Sequence, residues 1–211
     1  MQSRTPQTKG IIIGTGPSLS DDQIEWALNW QRLGVPLFGI NNVYQRVPSL
    51  DYFMACNPEW WDEYAQDPRI RDAPFEKWTW HKPTYIWRSG EIKNLNYIEG
   101  RWGDSLSKDP AFIHFGHASG YQILGIAYHA GIREFYLLGY DMAYPPGEKR
   151  HYFGEYPRSL YHNPRTGPNG EFTGLIKQFE TIDESDLGIT VINLCETSAL
   201  NHFKKGKIDD Y

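Results

Sequence analysis

Apolar residues in this chain fall into short continuous runs, and polar stretches with helical spacing separate them. The first run, Gly10-Ile11-Ile12-Ile13-Gly14, is β-branched and unbroken, as a parallel strand buried on both faces requires. It enters the turn Thr15-Gly16-Pro17-Ser18, after which Ile24, Ala27, Leu28 and Leu33 recur at helical spacing. Ser20 or Asp21 is placed to cap that helix, with acidic residues in its first turn. Gly34-Val35-Pro36 breaks it, and Leu37–Ile40 reads as a second strand. The unit is strand, glycine-rich turn, helix, strand: a parallel crossover.

A third run, Tyr52–Cys56, ends at Asn57-Pro58 and leads into a helix over Glu59–Ala65. Residues 67–110 are punctuated by prolines and carry a strand at Thr84–Trp87. They read either as a substrate-side insertion or as an irregular edge of the domain. Ala111–Phe115 precedes Gly116-His117-Ala118-Ser119-Gly120 and a helix through Ile123, Leu124, Ala127 and Tyr128 that stops at Gly131. Glu134–Gly139 is the next strand and runs into Tyr140-Asp141. The segment 143–170 has little periodicity, and a loop that long reads as a lid. A helix over Leu175–Leu187 and a strand over Ile189–Asn193 complete the pattern. Alternation throughout predicts a single α/β domain over 1–211, a Rossmann-like three-layer sandwich on a mostly parallel sheet.

In such sheets the ligand site lies beyond the carboxyl ends of the strands. The polar residues predicted there are Thr15-Gly16, Asn41-Asn42, Asn57, Ser119-Gly120 and Asp141. Gly14, Thr15, Gly16, Pro17 and Ser18 suit a phosphate, because glycines admit an anion to the backbone and the next helix adds free N–H groups. The run lacks the third glycine of a dinucleotide fingerprint and the Lys-Ser/Thr of a P-loop, and a plain tight turn has the same composition. Asn41 and Asn57 can hydrogen-bond a base edge or sugar hydroxyls, or cap their own strand ends, the role expected of Asn42. Ser119 at a helix start reads equally as a ligand contact or an N-cap. Asp141 is placed to hold a ribose hydroxyl, a Mg²⁺ ion or only its own turn. No histidine pair shows zinc spacing with a third ligand, and no nucleophile elbow is present.

Composition narrows the function classes. Lys and Arg number 21 against 26 Asp and Glu, a net charge of −5, which disfavours sequence-independent nucleic-acid binding. No apolar run is long enough to span a bilayer. The polar start, Met1 to Lys9, with only Ile11–Ile13 after it, predicts no secretory leader and hence a cytoplasmic protein. Cys56 and Cys195 read as buried reduced thiols. Aromatics reach 15% and fall into two groups. Trp60, Trp61, Trp78, Trp80, Trp87 and Trp102 are expected in an interface or insertion core. Tyr140, Tyr144, Tyr152, Tyr156 and Tyr161, in or beside the lid, are expected to touch substrate.

Several segments together resemble one family. Ile11–Leu19 (Ile-Ile-Ile-Gly-Thr-Gly-Pro-Ser-Leu), Phe38-Gly-Ile-Asn41-Asn-Val-Tyr44, Phe53-Met-Ala-Cys-Asn57-Pro58, Ser119-Gly120, Glu134–Asp141 and His151-Tyr-Phe-Gly154 are similar in order and spacing to motifs of the bacterial sialyltransferases of the Campylobacter lipooligosaccharide type. The same skeleton looks like a group of bacteriophage proteins and a related domain with pterin pyrophosphokinase activity. Thr15 stands where the sialyltransferases usually have Asn, no Arg precedes Ser119-Gly120, and Glu155 stands where the family carries its catalytic His.

The resemblance implies a nucleotide-dependent transferase. Its substrate would be a CMP- or other nucleotide-activated sugar, with no tightly bound cofactor and no metal called for. The turn 14–18, Asn41, Asn57 and Ser119-Gly120 would grip the nucleotide, with Tyr140 and Asp141 beside it. The family base is not inherited, but a direct displacement needs a base within reach of the acceptor hydroxyl, for which Glu155 and His151 are the candidates. Tyr140, Tyr144 or Tyr156 are placed to stabilise the leaving phosphate. The resemblance also implies a homo-oligomer in the cytoplasm of a bacterium or phage-infected cell. The alternatives on the same scaffold are diphosphate transfer with Asp141 holding Mg²⁺, and a phage protein that binds a nucleotide or sugar without turnover.

Overall fold

The computed structural model describes residues 8–81, 92–144, 149–157, 160 and 172–211. The strand expected at 84–87, Trp87, Tyr161 and most of the loop 143–170 lie outside the described residues. In chain order the strands are β1 (Lys9–Ile13), β2 (Leu37–Ile40), β3 (Tyr52–Met54), β4 (Glu76–Thr79), β5 (Leu95–Tyr97), β6 (Glu99–Arg101), β7 (Phe112–His114), β8 (Glu134–Leu138), β9 (Thr190–Asn193) and β10 (Lys204–Lys205). The helices are α1 (Asp21–Arg32), α2 (Pro58–Tyr64), α3 (Pro68–Arg71), α4 (Ser119–His129), α5 (Thr173–Phe179) and α6 (Glu184–Leu187).

Eight strands form one sheet in the order β10-β9-β8-β1-β2-β3-β4-β5, and every pairing in it is parallel. Ile11, Ile12 and Ile13 of β1 are completely buried, as a central parallel strand requires. Their alternation divides the core. Ile11 and Ile13 face α1 through Ile24 and Ala27, and Ile12 faces α4 through Ile123, Leu124 and Ala127. From β1 the sheet grows one way through β2 to β5 and the other way through β8 to β10. The carboxyl ends of β1 and β8 therefore flank a topological switch point, where open α/β sheets place their ligands.

The described residues of 67–110 form one edge of the sheet. They supply β4 and β5 to the main sheet, and β6, which pairs in parallel with β7 as a separate two-stranded sheet. Trp60 and Trp61 are buried in the core under that edge. The expected helix 175–187 is two helices, because the Asp183 carboxylate accepts from Ser185 and Asp186 N–H and caps a new start. Leu33 follows α1 as its C-cap and is 80% exposed instead of continuing the apolar face. The two-residue β10 carried no sequence signal.

Lys77 holds this edge from inside. Its side chain is fully buried, and Nζ donates to the carbonyls of Ala73 (2.8 Å), Phe75 (3.1 Å) and Lys93 (2.7 Å). Burial, aided by Lys93, lowers its pKa to about 8. Lys77→Met relieves that burial cost but orphans three acceptors, each worth about 1–3 kcal/mol. The expected net loss, read by urea unfolding at pH 7, is about 2–4 kcal/mol. An unchanged midpoint would show the carbonyls find other partners.

Candidate active site at the switch point

The turn after β1 lies against the turn after β8. Gly14 N–H donates to Leu138 O (2.7 Å) and Gly16 N–H to Gly139 O (2.9 Å). A Cβ on Gly14 would stand 2.6 Å from Gly139 O, and one on Gly16 would stand 1.8 Å from Asp141 Oδ2. These glycines are needed for backbone and carboxylate to approach, which is a different use from a phosphate cradle.

The anion at this turn belongs to the chain itself. Asp141 Oδ1 accepts from Ser18 N–H (3.1 Å) and Oδ2 from Ser18 Oγ (2.8 Å). Burial raises the Asp141 pKa against those two bonds. The expectation of free N–H groups on the following helix also needs correction. Ser20 Oγ accepts from Gln23 N–H while Gln23 Oε1 accepts from Ser20 N–H, a capping box that closes this end of α1.

Like α2 and α5, α4 starts without a side-chain cap. Its N-cap is Ala118, which has no side chain to cap it, so Ser119 sits inside the first turn instead of capping it. Ser119 Oγ donates to Asn41 Oδ1 (3.3 Å), lies 3.1 Å from Cys56 Sγ and accepts from Cys56 N–H. The Cys56 thiol donates to Asn57 Oδ1 (3.1 Å). The ends of β2 and β3 are thereby tied to the start of α4. Asn42 is structural but is not the cap expected of it: its Oδ1 accepts from Trp60 Nε1 (2.8 Å). Tyr140 is 4% exposed and its hydroxyl donates to Gly120 O (2.8 Å), so that proton is committed within the fold.

The described part of the 143–170 loop docks across these ends. Tyr152 N–H donates to Thr15 O (3.1 Å), and its hydroxyl donates to Asn42 O (2.6 Å). His151 and Gly154 exchange backbone hydrogen bonds, turning the chain back sharply where Gly154 has φ +99°. That turn sets His151 Nδ1 3.3 Å from Thr15 Oγ1, with its ring stacked on Phe153 (5.0 Å) and edge-on to Tyr156 (4.8 Å). Burial among these rings lowers the His151 pKa to about 4, with the Glu155 charge opposing, so the imidazole is neutral at physiological pH. Glu155 Oε1 lies 3.7 Å from Arg150 Nε. The Tyr156 hydroxyl is buried near Thr15 and Asn41, and burial raises its pKa.

Most of these groups border one cavity of about 700 Å³. Gly14, Thr15, Gly16, Pro17, Asn41, Asn57, Ser119, Gly120, Tyr140, Asp141, His151, Glu155 and Tyr156 line it. Ser18 stands behind Asp141 and does not. His117, in the segment before α4 that the strand-end rule points to, also lines it, and so do Glu59, His81 and Arg150, which the sequence did not single out. His81 follows β4, a strand hidden in the proline-punctuated segment. Asn41, His117 and Met142 reach the rim with φ of 46°, 59° and 52°. A left-handed backbone costs a non-glycine residue about 1 kcal/mol, and such strain gathers at functional sites.

No helix among the described residues is long and apolar enough to cross a membrane, and none of those residues group as a metal-binding cluster of His, Cys, Asp and Glu. No family model and no curated protein matches this chain.

Proposed function

We propose that this protein is a nucleotide-dependent transferase that binds the nucleotide of an activated sugar, of CMP type, in the cavity at the switch point. The observation that carries this reading is convergence: four strand ends, the start of α4 and the His151 turn meet at one cavity, which has the volume of a small-molecule site. The uncapped start of α4 offers N–H groups and a positive dipole end to a phosphate. Asn41 and Asn57 border the cavity where they can meet ribose or base, and the buried Tyr156 hydroxyl borders it beside Asn41.

His151 suits the base for the acceptor hydroxyl. It is neutral before the reaction, Thr15 orients it, and Glu155 stabilises the imidazolium formed as the proton arrives. Glu155 serves His151 in this reading, because its own carboxylate is paired with Arg150. Diphosphate transfer through a Mg²⁺ on Asp141 finds less support, since both oxygens of that carboxylate are bonded to Ser18. The acceptor, a homo-oligomeric assembly and a cytoplasmic location in a bacterium or phage-infected cell remain parts of the proposal.

The test is thermal denaturation with CMP, CDP, UDP, GDP and ATP at millimolar concentration, each with Mg²⁺ or EDTA. A ligand at a hundred times its Kd stabilises the fold by about 2.7 kcal/mol, several degrees for a chain of this length. A shift with CMP that EDTA leaves in place is expected. Shifts only with diphosphates and Mg²⁺ would favour the alternative, and no shift with any nucleotide would remove the reading.

A further inference from the structure

One large ring next to the cavity has no role in the core. Trp102 follows β6 and is 74% exposed. Its neighbours Arg101, Gly103 and Asp104 are exposed, so it is a single flat ring in polar surroundings and not part of a broad apolar patch. The ring is braced from beneath, with Phe115 at 5.2 Å and His117 at 5.0 Å.

Two glycines make this presentation possible. A Cβ on Gly100 would stand 2.3 Å from Phe115 Cε1, and one on Gly103 would stand 2.4 Å from His114 Nε2. The segment 100–103 therefore lies directly on the β7 side chains, with Trp102 facing outward. The ring is also continuous with the cavity. His117 lines the cavity and touches Trp102. On the other side Phe115 meets Trp80 (4.5 Å), and Trp80 stacks on His81 (3.9 Å), which also lines the cavity. A line of rings thus joins the cavity wall to an open indole face.

We propose that Trp102, braced by Phe115 and His117, is a stacking platform at the cavity mouth for a saccharide ring of the acceptor. This rests on the transferase reading for the word acceptor; the platform itself rests on Trp102. A pyranose has an apolar C–H face that suits a flat indole and a rim of hydroxyls that suits histidine and the polar neighbours. A nucleic acid is a poor fit to a chain of net charge −5. Trp102 is an isolated ring, and a stable interface between copies needs a much larger buried area.

The experiment is saturation-transfer NMR on the full chain with the methyl glycosides of glucose, galactose and N-acetylglucosamine. Wild type, Trp102→Ala and Trp102→Phe are compared, with adenosine as the rival ring and CMP thermal shift in parallel. At least one glycoside is expected to bind. Trp102→Ala should weaken it about tenfold, and Trp102→Phe should retain most of the affinity. The variants should melt within about 2 °C of wild type, because the ring contributes little burial. The CMP shift should be unchanged in Trp102→Ala.

Absence of glycoside binding, equal binding by Trp102→Ala, or Trp102-dependent binding of adenosine alone overturns the platform. So does a wild-type dimer in sedimentation that Trp102→Ala dissociates. Trp102-dependent glycoside binding without any nucleotide shift would keep the platform and remove the transferase reading. The two failures are therefore separable.

Discussion

Gly16→Ala is expected to be among the most damaging single-methyl changes in this protein. The added Cβ would stand 1.8 Å from Asp141 Oδ2, 2.7 Å from its Cγ and 2.6 Å from Gly139 O. One obstacle is backbone of the turn after β8, and the other is a buried carboxylate held by Ser18. Neither can move without parting the β1 and β8 turns, so the hydrogen bond from Gly16 N–H to Gly139 O is lost with them. Expelling Asp141 leaves the Ser18 donors unmatched, and overpacking adds a similar cost. The expected loss is about 3 kcal/mol or more in chemical denaturation, together with loss of any CMP-induced thermal shift. Gly174→Ala is the control. It sits in α5 with open space around it, and should be neutral or stabilise by up to about 1 kcal/mol. Equal behaviour of the two variants would sink the steric account.

On the transferase activity proposed above, His151→Gln carries the largest expected effect. Removing a positioned base typically costs about 10²–10⁴ in rate, and glutamine keeps the size and polarity while losing the proton acceptor. In wild type the acid limb of kcat/KM should lie near the free-protein pKa, about 4, and well below the ordinary histidine value. The same group makes stability depend on pH. Its pKa is lower in the folded state than in the unfolded chain, where it is near 6.5. As the pH falls from about 6.5 towards 4 the unfolded chain takes up the proton first, so stability falls. The full loss is on the order of 3 kcal/mol. Asp141 acts with opposite sign, because its raised pKa lets the folded state take up a proton before the unfolded chain does. The difference between wild type and His151→Gln across that window isolates the histidine. A difference that does not change with pH, or transfer at the wild-type rate, would show that His151 is neither buried as described nor the base.

Legibility followed locality. Ile11–Ile13 declared a buried central strand because β-branched residues in an unbroken run have few other uses, and Ser20 announced the start of α1 through a side chain three residues from its partner. The strand-end rule then brought Asn41, Asn57, Ser119 and Asp141 to the same end of the sheet before any contact was known. The edge was not legible. β4 and β5 are short, prolines surround them, and Lys77, a residue rarely buried, sits at the centre of their support. His81 and Arg150 reached the cavity from segments whose path depends on that edge and on the folded loop. The aromatic excess divided differently from its sequence grouping. Trp60 and Trp61 are core, Trp102 is open, and Tyr140 has committed its hydroxyl to Gly120.

The chain by itself determined the alternation of strands and helices, the parallel sheet that alternation forces, and the end of the sheet where polar residues gather. These follow from periodicity and turn chemistry, which act over a few residues. Only the tertiary structure decided what the gathered residues do. Asp141 faces inward to Ser18 across 123 positions of sequence, and His151 meets Thr15 across 136. Such pairings depend on which strand ends become neighbours in the sheet, a property of the order β8-β1-β2 and of no segment read alone. That order turned a glycine-rich turn suited to phosphate into the seat of the chain's own carboxylate. It left the start of α4, uncapped like those of α2 and α5, beside the cavity.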